Sequence, residues 1–258
     1  MSHLVATAHA LWLRDLKRFF RQPSRVVGAL GQPVVFWAVF GAGFSRSFKV
    51  PGAEDTAYGA FLFPGILAMT LLFTAIFSTV SVIEDRREGF LQAVLAGPAP
   101  RSAIALGKTL GGATLALIQT LLLLPFAPLA GVPLLQANFP ALLATMVLTA
   151  LAVTALSFAL AWSFHSSQGF HAVMSILLIP MWILSGAMFP VSGASEWLGW
   201  LMKLNPMTWC VTALRRSLQG DALATAASGM SSGAGMEVAV VAGFCVVAVG
   251  LAMLRTRR

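Results

Sequence analysis

Tyr58-Gly-Ala-Phe-Leu-Phe-Pro-Gly-Ile-Leu-Ala-Met-Thr-Leu-Leu-Phe-Thr-Ala-Ile-Phe-Ser-Thr-Val-Ser-Val-Ile83 contains no Lys, Arg, Asp or Glu and stops abruptly at Glu84-Asp85-Arg86-Arg87-Glu88. As a helix rising 1.5 Å per residue, a run of about 20 apolar residues crosses the hydrocarbon layer of a bilayer. Five further runs have the same character: Val26 to Phe44, Thr109 to Ala130, Phe139 to Ser163, Ala172 to Pro190 and Val238 to Leu254. None holds an ionisable Lys, Arg, Asp or Glu, as the cost of charge in hydrocarbon requires. Pro33, Pro64, Pro125 and Pro180 fall inside these runs and mark kinks, which membrane helices tolerate. The reading is an all-α membrane protein with six transmembrane helices.

Composition agrees. Of 258 residues, 58% are hydrophobic and 10% charged, whereas a water-soluble domain carries roughly 25% charged residues. The formal net charge is +8, and its distribution sets orientation. With the N-terminus inside, Arg14, Lys17, Arg18, Arg21, Arg25, Arg86, Arg87, Arg101, Lys108, Arg255, Arg257 and Arg258 lie inside, and Arg46, Lys49, Lys203, Arg215 and Arg216 lie outside. An inside excess of basic residues is the insertion rule, so both termini are expected in the cytoplasm. Membrane anchoring accounts for the charge without nucleic acid. The first run starts too late and runs too long for a secretory signal. Cys210 and Cys245, one outside and one deep in the last run, read as packing residues rather than a bridge.

Residues 1–25 form a separate unit in this reading, ahead of a six-helix membrane domain over 26–258. Leu4, Ala8, Leu11, Trp12, Leu16, Phe19 and Phe20 recur at helical spacing, with Arg14, Lys17, Arg18 and Arg21 on the other side. This is an amphipathic helix suited to an anionic membrane surface. It serves either as a topology signal or as a brace for a cytoplasmic partner.

The segment after Ile83 opens with charges and continues as Gly89-Phe90-Leu91-Gln92-Ala93-Val94-Leu95 before Gly97-Pro98. Leu91, Val94 and Leu95 fall on one helical face, Gly-Pro supplies a stop, and Ser102 is a candidate cap for the next helix. A short helix between two spans, bracketed by charge, is shaped to pass on a push from outside the membrane. Gly107-Lys108-Thr109 imitates the end of a phosphate loop, but the required earlier glycine is Ser102; Lys108 reads instead as a snorkelling residue at a helix end.

Between the last two runs lies a long outer segment with Trp197, Trp200, Leu204-Asn205-Pro206 and the helical spacing Met207, Val211, Leu214, Leu218. It is too short in any part to cross and too apolar for a soluble cap, so it reads as re-entrant helices in the outer leaflet. A flexible link over 228–235 should follow. Gly-x-Ser-x-Gly and His-Glu-x-x-His are absent from the sequence, and His165 and His171 have no neighbouring carboxylate or cysteine to complete a site. Ion-coupled transporters place charges inside their spans, and the charge-free runs argue against that class.

Six spans with both ends inside, the N-terminal helix, the Glu84-Asp85-Arg86-Arg87-Glu88-Gly89 block, Pro98-Ala99-Pro100-Arg101-Ser102, Lys108 and Leu204-Asn205-Pro206 together resemble the type-2 permeases of ATP-binding-cassette (ABC) exporters. The stretch from Tyr58 to Gly111 is most similar to daunorubicin-type drug-resistance permeases, with nodulation-factor and polysaccharide exporters more distant. The resemblance implies a homodimer in a bacterial inner membrane, seated on two copies of a separate ATPase that holds ATP and Mg. It also implies a transport subunit rather than an enzyme, with no cofactor expected in this chain. It further implies that Glu84, Asp85, Arg86, Arg87, Glu88, Gly89, Phe90, Leu91 and Arg101 couple to the ATPase, with Arg14, Lys17, Arg18 and Arg21 as the second contact. Phe36, Trp37, Phe40 and Trp182 are candidates for a hydrophobic or sugar-stacking pathway. The implied cargo is hydrophobic or amphiphilic; a polysaccharide or lipo-oligosaccharide permease and a non-transporting scaffold are the alternatives.

Overall fold

The structure is a computed structural model that describes residues 3–21, 23–44, 50, 53–54, 56–98 and 100–257. It is all-helical among the described residues. The helices are α1 His3–Phe20, α2 Pro23–Gly43, α3 Tyr58–Arg87, α4 Phe90–Leu95, α5 Arg101–Leu123, α6 Phe139–Ala161, α7 Ser167–Trp182, α8 Glu196–Leu204, α9 Pro206–Gln219, α10 Asp221–Ser228 and α11 Ala234–Arg257.

Five helical stretches are long and apolar enough to cross a membrane: Tyr58–Arg87, Arg101–Ala130, Phe139–Ala161, Ser167–Ala187 and Ala234–Thr256. The first expected span falls on α2, whose apolar part, Leu30–Gly43, is shorter. Of the residues counted for orientation, Arg46, Lys49 and Arg258 lie outside the described residues, as does the side chain of Arg25.

α3 is the central pillar. Residues on all sides of it are buried, and it packs against α2, α5, α6, α7 and α9. α11 lies along α6, and α1 lies along α5. The charged end of the bundle gathers α1, the end of α3, α4, the start of α5 and the end of α6. The opposite end gathers α8, α9 and α10.

Three local expectations are corrected. α5 starts at Arg101 with Pro100 before it and no side-chain cap, so Ser102 is not the capping residue. Pro125 does not merely kink the third span: α5 ends at Leu123 and a 3-10 turn runs Leu124–Ala130, with Pro128 inside it. Two prolines three residues apart remove the donors that an α-helix would need there. The link before the last span is shorter than expected, because α10 continues to Ser228 and α11 begins at Ala234. Cys210 and Cys245 are both buried and free.

Candidate functional site

The charged end is built around Asp85, whose side chain has no exposed area. Its carboxylate accepts two bonds from Arg14, Nη1 to Oδ2 and Nη2 to Oδ1, each 2.7 Å. Arg18 Nη1 donates to the same Oδ1 at 3.1 Å and Lys108 Nζ to Oδ2 at 2.5 Å. Lys108 reaches Asp15 Oδ1 at 2.8 Å and Ser81 Oγ at 3.2 Å. Arg18 completes the set on Glu84 at 2.9 Å, with Glu88 at 3.8 Å on the rim.

Three cations and four carboxylates thus interlock α1, α3 and α5. The fork geometry of Arg14 on a carboxylate is the strong form of a charge-assisted pair. Hydrogen bonding to Asp85 holds the Arg14 guanidinium above its ordinary pKa. Asp15 is placed differently: burial pushes its carboxyl above the usual carboxylate range, and the charge of Lys108 opposes that only in part.

Lys108 was expected to snorkel to water. It is instead buried, because α1 covers the start of α5. What permits that cover is Gly107: a Cβ there would sit 2.7 Å from the Ala8 carbonyl oxygen and 2.9 Å from Leu11 Cβ. One turn on, a Cβ on Gly111 would lie 3.3 Å from Asp15 Cβ. Small residues four apart let helix backbones approach closely. Trp12 Nε1 then donates to Thr114 Oγ1 at 3.0 Å.

α1 therefore shows three sides rather than two. Ala8, Leu11, Asp15 and Phe19 are buried against the bundle. Val5 and Phe20 are exposed apolar residues, and Lys17 and Arg21 are exposed cations. Of the four basic residues singled out in this helix, Arg14 and Arg18 are drawn into the clamp and Lys17 and Arg21 are not, while all four line an open concavity of about 670 Å³.

The other singled-out residues divide in the same way. Arg86 turns away from the surface, donating to the carbonyls of Trp162 at 2.9 Å and Phe164 at 3.4 Å, with its guanidinium 4.8 Å from the Trp162 ring centre. Arg87 and Glu88 are exposed. Gly89 takes a positive φ of 79° to start α4. Phe90 lies under the Arg14 guanidinium at 3.7 Å and Leu91 is buried, so α4 is fastened to the clamp. Leu95 does not share that face: it is exposed, with Gln92, Ala93, Ala96 and Gly97 beside it. Arg101, at the start of α5, is exposed.

The proposed pathway aromatics form a continuous row. Trp182 meets Phe36 at 6.0 Å between ring centres, Phe36 meets Phe40 at 5.1 Å, and Phe40 meets Phe44 at 6.0 Å. Phe36, Trp37 and Phe40 are half-buried on α2, and Trp37 packs edge-on against Phe63. Trp182 is buried, its Nε1 donating to the Gly65 carbonyl at 2.8 Å. It belongs to the seam between α3 and α7.

Membrane-length helices, with a buried charge clamp at one end and a small helix fastened to it, define a multi-pass α-helical membrane protein. Residues 7–218 match the ABC-2 type transporter family, and the chain belongs to that family. Relatives include a putative transport permease ycf38 from Cyanophora paradoxa, 28% identical over 78% of this chain and 71% of its own length. The corresponding protein of Porphyra purpurea is 26% identical over 82% of this chain and 74% of its own. Nodulation protein J from Neorhizobium galegae is 26% identical over 82% of this chain and 80% of its own.

Proposed function

We propose that this chain is the permease subunit of an ATP-driven exporter in a bacterial cytoplasmic membrane. It acts as a homodimer on two copies of a separate ATPase, with both termini and the charged end in the cytoplasm. The carrying observation is that α4 is tied to the buried clamp on one side, through Phe90 and Leu91, and free on the other, through Gln92, Ala93 and Leu95. A small apolar face of this kind fits a groove on a partner, and the exposed Lys17 and Arg21 supply a second, electrostatic contact. A displacement of α4 would reach α3 through Asp85 and α5 through Lys108, because buried ion pairs resist separation. ATP and Mg would be held by the partner.

The cargo that suits this reading is a hydrophobic or amphiphilic molecule, drug-like or lipid-linked, passing along the aromatic row of Phe36, Phe40 and Trp182 with Trp37 beside it; multidrug resistance is one physiological form. A second reading, a lipo-oligosaccharide permease, draws support from the relatives named nodulation protein J and from the suitability of aromatic faces for stacking on sugars.

The test is to replace Gln92 and Leu95 with Glu together, and separately Arg86, Arg87 and Glu88 with Ala. ATPase co-purification and substrate-stimulated ATP hydrolysis are then measured. The α4 pair is expected to lose both while the protein stays folded. Normal co-purification and hydrolysis in both variants would show that coupling does not run through this end.

A further inference from the structure

At the opposite end, α3 and α7 meet where each carries a proline that removes a helical hydrogen bond. Pro64 interrupts α3, so the Ala60 carbonyl has no helical donor from residue 64. α7 carries Pro180 and passes into a π-turn over Ile183–Ala187, in which Gly186 has φ +75°. The two helices touch backbone to backbone: a Cβ on Gly65 would lie 2.6 Å from Ala187 Cβ and 2.9 Å from its carbonyl oxygen.

The exposed acceptors of both breaks are taken up by the segment that follows. Asn205 Nδ2 donates to the Met181 carbonyl at 2.6 Å, and Thr208 Oγ1, which bonds the Met202 carbonyl at 2.5 Å, lies 3.3 Å from that of Leu184. Gln219 Nε2 donates to Ala60, the carbonyl left free by Pro64, at 2.6 Å. Arg215 holds both helices at once, with Nη2 donating to Gly186 at 3.0 Å and to Phe61 at 3.3 Å. Its guanidinium carbon lies 4.3 Å from the Phe61 ring centre.

Arg215 is 1% exposed, and among the described residues no carboxylate pairs with it. Its neighbour Arg216 makes the contrast, with a bidentate grip on Glu237 at 2.9 and 2.7 Å and a further contact to Asp221. A carboxylate partner would staple the seam. A desolvated cation held by carbonyl dipoles and a ring face is different, because water entering a parted seam would hydrate it and offset the lost bonds. Such a group stabilises a closed seam without forbidding an open one.

We propose that Arg215 is a gate residue: it pins α3 to α7 at the end bearing α8, α9 and α10, and it releases one of its two carbonyls each time that end opens to pass cargo. This rests on the transport reading. Gln219, Thr208 and Asn205 are positioning residues that hold α9 across the seam.

The test places a reporter thiol in the seam, Ser185→Cys, where Ser185 is buried beside Gly186, in a chain carrying Cys210→Ala and Cys245→Ala. The full chain is reconstituted in phospholipid vesicles, and an impermeant methanethiosulfonate reagent is applied at the face bearing α8, α9 and α10. Arg215→Gln is expected to raise the labelling rate about tenfold, the effect of losing a hydrogen bond to a charged group. Arg215→Lys should lie between, and Arg216→Gln should label like the parent. A merely structural arginine would lower the melting temperature without this ordering. If Arg215→Gln does not fold, Thr208→Val with Gln219→Leu removes neighbouring bonds across the same seam and should raise the rate. Equal rates in a chain that transports with its ATPase would overturn the pin. No transport by the parent chain with its ATPase, but faster labelling in Arg215→Gln, would overturn the transport reading and leave Arg215 as the closure of the seam.

Discussion

Lys108 and Asp85 neutralise each other 2.5 Å apart at the buried junction of α3 and α5, and Lys108 also serves the Asp15 carboxylate on α1. Removing one member of a buried pair costs about 3–5 kcal/mol because the other stays charged and dry. Lys108→Met should therefore lower the melting temperature of the detergent-solubilised protein strongly. Adding Asp15→Asn should recover part of the loss by removing an orphaned carboxylate. A double variant no more stable than Lys108→Met alone would contradict the role assigned to Asp15.

Asp15 also gives a pH dependence of known sign. Burial raises its folded-state pKa above the ordinary value of 3.8, so the folded protein binds the proton more readily than the unfolded chain. Its contribution to stability is present at low pH and is lost as pH rises from that value through the raised one. Asp15→Asn stays in the neutral condition, so melting curves should show its advantage over the parent growing across that window and levelling off above it. A constant difference across the whole window would refute the assignment.

Gly107 is the seat of α1. Any larger residue would push into the Ala8 backbone, and overpacking of this kind costs about 1–3 kcal/mol. Gly107→Val should free α1 from α5 and expose its buried Leu11 and Phe19 to limited proteolysis, with the apolar helices still protected. Unchanged cleavage would mean that α1 is held by the ion pairs alone.

Glu237 sits in the first turn of α11, where a carboxylate is favoured by the helix dipole, and its grip on Arg216 closes the turn from α10 together with a bond from Arg216 Nη2 to the Ser232 carbonyl at 2.7 Å. Glu237→Gln should loosen 229–236, seen as faster amide exchange there, while the α1 clamp is untouched. Exchange that stays slow in that segment would show that Met230 and its packing hold it without the ion pair.

The spans were legible because hydrocarbon admits few alternatives to an apolar helix. The apolar runs beginning at Tyr58 and Val238 each fall within one helix, the run beginning at Phe139 overshoots its helix by two residues, and the helical spacing from Met207 to Leu218 falls on α9. The clamp was not legible, since Lys108 meets Asp15 across 93 positions and nothing local marks the encounter. One signal is present: Gly107 and Gly111 lie four apart, and the glycine of the loop-like Gly107-Lys108-Thr109 serves close helix approach. Arg215 and Arg216 looked equivalent when counted as charges. Adjacent helical positions point about 100° apart, and that rotation separates a guanidinium held by carbonyls from one paired with the carboxylates of Glu237 and Asp221.

The clamp also imposes an order on biosynthesis. α1 is made first, yet the carboxylate that holds its arginines lies 71 positions further along and the lysine that neutralises Asp15 lies 93 positions further. Until both helices have been inserted, the nascent N-terminus can only wait at the membrane surface, hydrated and amphipathic. Its docking is then a checkpoint on assembly, completed only by chains whose third and fifth helices have reached their places.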